Sequence, residues 1–309
     1  MQNFFEKMFL WEEFLVFYSR DKLNFIGNSN SEKRSDNTKI IDDLRAKCEC
    51  TYFLLNYNYD NDSFSYKDKE YDLKSQTYIF LKKIDKDIPI MLNITSMNLR
   101  LMGTLLFNIK KIGFKEVYCL YTEPLRYCKN IDNTDTEDFV DRFDLYKKFR
   151  GIDPIPGFLR ANDNKLDEKW IAFLGFDGKR VEQINDRYEF ADIVPVVTLP
   201  SFKPGWQNYA LQENIDIIKN IERKPEYIVA NSYLSAYKYL DKMRKTYPDI
   251  YLRVTPLGTK VNALGVLLFC LNNIQNVEIL YDNPKEEGRI STECGNTYIF
   301  DISETINGM

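Results

Sequence analysis

The chain has 309 residues, 44% of them apolar and 28% charged, with 21 Tyr and 21 Phe. Such a composition excludes a disordered or collagen-like chain. The 42 Lys+Arg against 46 Asp+Glu leave a net charge of −4, with no basic footprint for wrapping a nucleic-acid duplex. Histidine is absent, which removes Ser-His-Asp and Cys-His nucleophiles, a histidine general base and any histidine metal site.

In chain order, the opening stretch carries Glu6, Lys7, Glu12 and Glu13 within its apolar residues. It therefore does not read as a signal peptide. No run of 18 apolar residues occurs, so no membrane span is expected and a cytoplasmic location is the default. Strands are predicted at Phe14–Tyr18, Tyr52–Tyr57, Ile88–Asn93, Glu116–Tyr121, Trp170–Gly175, Ile193–Val197, Glu226–Ala230, Tyr251–Thr255 and Val277–Tyr281. Several are continuous apolar runs, the signature of strands buried on both faces of a parallel sheet. Helical spacing is found over Leu99–Ile112, Leu211–Ile221, Leu234–Thr246 and Val261–Leu271. Ser29–Thr38 and Lys129–Thr136 read as polar loops, and Asn58–Lys74 as an edge hairpin or excursion. Residues 19–50 have weak periodicity. The alternation predicts an α/β fold with Rossmann-like parallel sheets flanked by helices. We expect two halves, 1–150 with an N-terminal extension and 151–309, with a boundary near residues 129–165.

The six cysteines, Cys48, Cys50, Cys119, Cys128, Cys270 and Cys294, lack the spacing of a redox or zinc motif. They read as buried, reduced thiols. No metal and no cofactor is expected.

Two segments echo each other. Ile90–Pro124 and Leu252–Pro284 each run strand, Thr, polar turn, Gly, Leu-Leu-Phe, then a strand ending in Leu-Tyr and a Pro. Thr95 matches Thr255, Gly103 matches Gly265, Phe107 matches Phe269, Tyr121 matches Tyr281 and Pro124 matches Pro284. The echo points to a duplication.

Ligands of open parallel sheets bind beyond the carboxyl ends of the strands, where helix N-termini offer free N–H groups. The candidate binding residues are those at such turns. They are Asn93, Thr95, Ser96 and Arg100 in the first half, and Asp177, Asn231, Ser232, Thr255, Gly258, Thr259, Lys260 and Asp282 in the second. Gly258 can let backbone approach an anion, Thr259 can cap a helix, and Lys260 can place a charge on a phosphate. Neither a P-loop nor a G-x-G-x-x-G fingerprint is present. Two prolines, a Gly, a Lys and a Trp crowd into Leu199–Gln207, and a Trp on such a loop can stack on a nucleobase.

The turns at Asn93-Ile94-Thr95 and at Thr255 to Lys260 resemble the ligand-binding turns of CARF domains, the CRISPR-associated Rossmann fold. Those turns read Asn-x-Thr-Gly-Gly-Thr-Lys before an apolar helix. Here Ser96-Met97 stands in place of the glycines with Arg100 near the Lys position, and Pro256-Leu257 interrupts the second copy. The resemblance covers about 70 residues in two pieces. It implies binding of cyclic oligoadenylates or related nucleotides, and a setting in bacterial antiviral defence. On this reading the chain is a nucleotide sensor or regulatory subunit acting through a protein partner or oligomerisation. Two alternatives stand beside it. One is a metal-independent nucleotide-processing enzyme using Thr95, Ser96, Arg100, Asp177, Lys260 and Asp282. The other is a non-catalytic assembly subunit. The sequence itself names no reaction and no catalytic residue.

Overall fold

The structure is a computed structural model that describes residues 6–29, 33–35, 38–127, 148–149, 151–188, 190, 192–221, 223–285 and 291–308. In chain order the elements begin with β1 (Lys7–Leu10), α1 (Trp11–Phe17), β2 (Lys22–Asn28), α2 (Thr38–Lys47), β3 (Glu49–Asn58), β4 (Ser63–Tyr66), β5 (Lys69–Asp72), α3 (Leu73–Leu81), β6 (Ile90–Asn93), α4 (Leu99–Ile112) and β7 (Val117–Tyr127). Next come β8 (Lys148–Phe149), β9 (Glu168–Phe173), α5 (Gly178–Tyr188), β10 (Ile193–Thr198), α6 (Trp206–Glu213), α7 (Ile215–Lys219), β11 (Glu226–Ile228), α8 (Tyr233–Thr246), β12 (Tyr251–Pro256), α9 (Lys260–Asn272), β13 (Val277–Ile279) and β14 (Pro284–Lys285). The chain ends with β15 (Ser291–Asp301) and α10 (Ser303–Asn307). The fold is α/β, as the alternation of elements requires.

Two compact units are present, but not as consecutive halves. The first comprises Met1–Arg126 with Ser291–Met309, and the second Tyr127–Ile290. The reason is strand pairing: β15 lies between β1 and β7, so the C-terminal segment belongs to the first sheet rather than to a half beginning at 151.

The first unit holds an eight-stranded mixed sheet in the order β1-β15-β7-β6-β2-β3-β4-β5. Strands β7, β6, β2 and β3 form its parallel block, and the antiparallel hairpin β4–β5 closes one edge, where an edge hairpin was expected. Trp11, Phe14, Tyr18, Leu23, Phe25, Met91, Leu120 and Ile299 pack into one cluster on this sheet. Burying each such side chain contributes about 1.5–3 kcal/mol. The predicted strand Phe14–Tyr18 is instead part of helix α1 and its C-cap. Trp11, Phe14 and Tyr18 point inward at spacings of three and four, whereas Val16 and Phe17 are 75% and 68% exposed. The continuous apolar run hides a helical stripe.

The second unit holds a five-stranded sheet in the order β11-β10-β9-β12-β13, parallel throughout. The order places the first strand, β9, at the centre, with the chain moving outward on one side and then on the other. Right-handed crossovers then put helices on both faces. Trp170, Val181, Ile184, Val197, Ala210 and Ile217 form the core under α5, α6 and α7. The predicted helix over Leu211–Ile221 is two helices, α6 and α7, meeting at Asn214.

The two echoing segments occupy the same topological place. Each is a βαβ unit, β6-α4-β7 or β12-α9-β13, beginning directly beside the first strand of its parallel block, β2 or β9. In register, Ile90 lies opposite Val117 and Leu252 opposite Val277. The matched threonines differ in setting: Thr95 stands in a 3-10 turn beyond β6, and Thr255 lies within β12.

Five cysteines fall among the described residues and all are free thiols. Cys119 and Cys270 are buried, Cys48 and Cys50 half-buried, and Cys294 is exposed, against the expectation of uniform burial; Cys128 lies outside the described residues. Burial pushes the Cys50 thiol up to about 11 and the Cys270 thiol up to about 12, away from thiolate reactivity. Alkylation of the native protein at pH 8, mapped by peptide mass, is expected to reach Cys294 readily, and Cys119 and Cys270 only after unfolding. Rapid native labelling of Cys270 would contradict this packing.

Candidate functional site

In the first unit, the turn after β6 is closed by its own hydrogen bonds. Asn93 Oδ1 accepts from the Thr95 amide at 3.1 Å, and Thr95 Oγ1 accepts from the Thr122 amide of β7 at 2.8 Å. Ser96 Oγ donates to the Asn93 carbonyl at 2.8 Å and accepts from the Asn28 amide at 2.9 Å. Asn28, which sequence reasoning passed over, also donates to the Ser96 carbonyl and accepts from the Tyr57 amide, both at 3.0 Å. Asn93, Thr95 and Ser96 are wholly buried, so these predicted site residues tie together the ends of β2, β3, β6 and β7.

Arg100, in the first turn of α4, meets Asp62 in a two-pronged pair, with Nε to Oδ1 at 2.8 Å and a terminal nitrogen to Oδ2 at 2.6 Å. Tyr57 donates its hydroxyl to the same carboxylate at 2.9 Å. Burial, with the Asp62 charge beside it, pushes the Tyr57 phenol well above its ordinary range. Asp62 could not be linked to Arg100 by spacing, because 38 residues separate them.

In the second unit the predicted residues separate into two groups. Thr255 is buried within β12, where its Oγ1 accepts from the indole N–H of Trp170 at 2.7 Å. Asp282, just past β13, is clasped by Arg180 of α5, Nε to Oδ2 at 2.8 Å and a terminal nitrogen to Oδ1 at 2.6 Å. Asp177 is buried in the turn between β9 and α5. That turn abuts the β12–α9 turn so closely that a Cβ on Gly175 would overlap the Leu257 carbonyl. The two turns therefore meet at the point where the strand order reverses.

The remaining five, Asn231, Ser232, Gly258, Thr259 and Lys260, come together at two helix N-termini. Ser232 caps α8, its Oγ accepting from the Ser235 amide at 2.9 Å. Thr259 caps α9, its Oγ1 accepting from the Asn262 amide at 3.1 Å and donating to the Ala230 carbonyl at 2.8 Å. Asn262, another residue not foreseen, fastens the two turns together. Its side-chain amide donates to the Val229 carbonyl at 2.8 Å and the Ser232 carbonyl at 3.1 Å. Helices of 14 and 13 residues thus start side by side, and their terminal N–H groups and dipoles favour an anion. Lys260, the first residue of α9, is partly exposed there, as are Asn231, Ser232, Gly258 and Thr259. The arrangement is suited to a phosphate group.

Ala230 connects this pair to a third turn. Its amide donates to the Pro200 carbonyl at 3.1 Å, which places the β10–α6 loop next to the start of α8. Among the described residues, no group of three or more Cys, Asp and Glu side chains is arranged to hold a metal ion. Also among them, no helix is long and apolar enough to cross a membrane.

No model of a known protein family matches the chain, and no curated protein matches it.

Proposed function

We propose that the second unit binds a nucleotide through its phosphate at the paired N-termini of α8 and α9, and that the chain is a nucleotide-responsive sensor or regulatory subunit. The observation that carries this reading is the fastening of the two helix starts by Thr259 and Asn262, with partly exposed Lys260 at their mouth. It is supported by the position of the site at the carboxyl edge of a doubly wound parallel sheet. The likeness of the Thr255–Lys260 turn to CARF ligand turns supports it further. The closed first-unit turn, with Asn93, Thr95 and Ser96 fully engaged, favours the second unit as the place of binding. An output through oligomerisation or a protein partner, in antiviral defence, is the part of the proposal that rests on the resemblance alone.

The test is a thermal-shift titration with linear and cyclic nucleotides. A ligand that binds only the folded state adds about 2.7 kcal/mol of stability at a hundredfold excess over its Kd. We expect a dose-dependent rise in Tm. We expect Lys260→Ala to weaken the interaction by about 1.5–3 kcal/mol, the range for a hydrogen bond to a charged group. No shift across the panel, or an undiminished shift in Lys260→Ala, would refute this site.

A further inference from the structure

We propose that the lysine-lined face where α3 ends, in the first unit, is a docking track for single-stranded nucleic acid, held by its phosphates. The proposal does not depend on the nucleotide site of the second unit. Lysines gather here from three elements. Lys67 and Lys69 belong to the β4–β5 turn and the start of β5, Lys82 and Lys83 follow α3, and Lys111 lies in the last turn of α4. All five are exposed. Among the described residues, none of the five pairs with a carboxylate. Their ammonium groups are nevertheless placed. Tyr78 of α3 carries two of them, with Lys82 Nζ at 6.0 Å and Lys111 Nζ at 5.0 Å from its ring centroid. Tyr71 of β5 carries two more, Lys69 Nζ at 5.2 Å and Lys83 Nζ at 5.4 Å, and Lys83 also donates to the tyrosine hydroxyl at 3.3 Å. Lys67 Nζ lies 5.4 Å from the Tyr66 ring. The shared rings, and the adjacency of Lys82 and Lys83, link the charges in the order Lys69, Lys83, Lys82, Lys111. Attraction to the rings restrains side chains that would otherwise sweep freely, which lowers the ordering cost of binding.

The neighbouring carboxylates leave this row positive. Asp87 is paired with Lys115 at 2.7 Å. Asp72 stands at the far end of α3, which it caps by accepting from the Ser75 amide at 2.7 Å. Glu70 accepts from Ser63 Oγ at 2.5 Å, and strand alternation turns it to the opposite face of β5 from Lys69 and Tyr71. Asp68 and Asp85 remain against the five lysines. A row of point charges drawn from three elements complements an extended polyanion better than a compact one. A folded acidic partner would need an apolar centre to its interface, and of the large apolar side chains on α3 and α4 only Ile79 is exposed. A single strand needs no such centre and carries a phosphate at every residue. The rings of this face hold ammonium groups, so contact is to the phosphates and the expected binding is independent of base sequence.

The experiment titrates a fluorescein-labelled oligodeoxythymidylate of about 20 residues with the intact chain, reading anisotropy between about 50 and 200 mM KCl. Four phosphate contacts predict a slope of about −3 in log K against log salt, at about −0.7 for each contact on a single strand. The double variant Lys82→Ala with Lys111→Ala is expected to halve that slope and to weaken binding at least about tenfold at 50 mM salt. Its Tm is expected to stay unchanged, because both side chains are exposed. Lys242→Ala removes an exposed lysine of α8 in the second unit and is expected to leave both slope and affinity as they are. Undetectable binding at 50 mM salt, or a slope that the double variant leaves intact, would overturn the track. An equal loss in Lys242→Ala would overturn it too, by showing attraction to diffuse charge. If polyglutamate of the same length binds as tightly as the oligonucleotide, the face belongs to an acidic polypeptide and the nucleic-acid assignment is wrong.

Discussion

Replacing Asp282 by alanine is expected to lower the unfolding free energy by about 3–5 kcal/mol, the range for removing one partner of a buried ion pair. Its carboxylate and the Arg180 guanidinium are only 4% and 7% exposed and share two hydrogen bonds. Arg180 also lies 5.7 Å from the centre of the Tyr281 ring, so the guanidinium is enclosed by the end of β13. Without Asp282 the buried guanidinium loses the carboxylate that shares two hydrogen bonds with it. The loss therefore includes the cost of keeping that charge buried as well as the attraction removed. The double variant Arg180→Met with Asp282→Leu separates these terms, because an apolar replacement of a buried pair is often neutral or stabilising. We expect it to recover most of the stability in urea denaturation. By contrast, Lys7 and Glu304 pair at 2.8 Å with side chains 48% and 56% exposed, and Glu304→Ala is expected to change little. A loss below 1 kcal/mol for Asp282→Ala would mean that the α5–β13 clasp is open in solution.

That pair also marks how far the sequence could be read. Local patterns were legible where burial is two-sided and apolar: Ile90–Asn93, Glu168–Phe173 and Ile193–Thr198 are strands whose side chains are nearly all buried. Strand β2 escaped notice because its buried face is partly polar, with Asn24 and Asn28 at 4% and 8% exposure. Helix α5 offered only Val181 and Ile184 as apolar buried anchors, too few for a stripe. The site residues divide in the same way. Thr259 and Ser232 cap helices as their residue types suggest, since capping is decided within one turn. Arg100 and Asp282 were read as free to meet a ligand, but each has a protein partner, at separations of 38 and 102 residues. Such partners are set by the topology and leave no local trace. The return of β15 to the first sheet, between β1 and β7, is of the same kind.

Gly175→Ala is expected to be a damaging substitution at the carboxyl edge of the second sheet, costing about 1–3 kcal/mol as overpacking. The added Cβ would overlap the carbonyl of Leu257, a backbone atom that cannot rotate aside. It sits where strand pairing still holds, since the Leu257 amide donates to the Phe173 carbonyl at 3.0 Å. Relief must therefore come from moving the β12–α9 turn, which carries Gly258, Thr259 and Lys260 with it. For that reason the variant is expected to lose nucleotide affinity as well as stability, with Tm and Kd measured on the same preparation. Gly258→Ala supplies the contrast. A Cβ there meets its nearest neighbour, the Leu174 carbonyl, at 3.6 Å, an ordinary contact, so the fold is expected to keep its Tm. Of these two glycines, Gly175 is the one that the fold requires for close backbone approach, and Gly258 is left to report on the ligand. Weaker binding in Gly258→Ala at unchanged Tm would show that the phosphate approaches this backbone closely. Unchanged binding there, with full stability in Gly175→Ala, would mean that the two turns do not meet as the strand order places them.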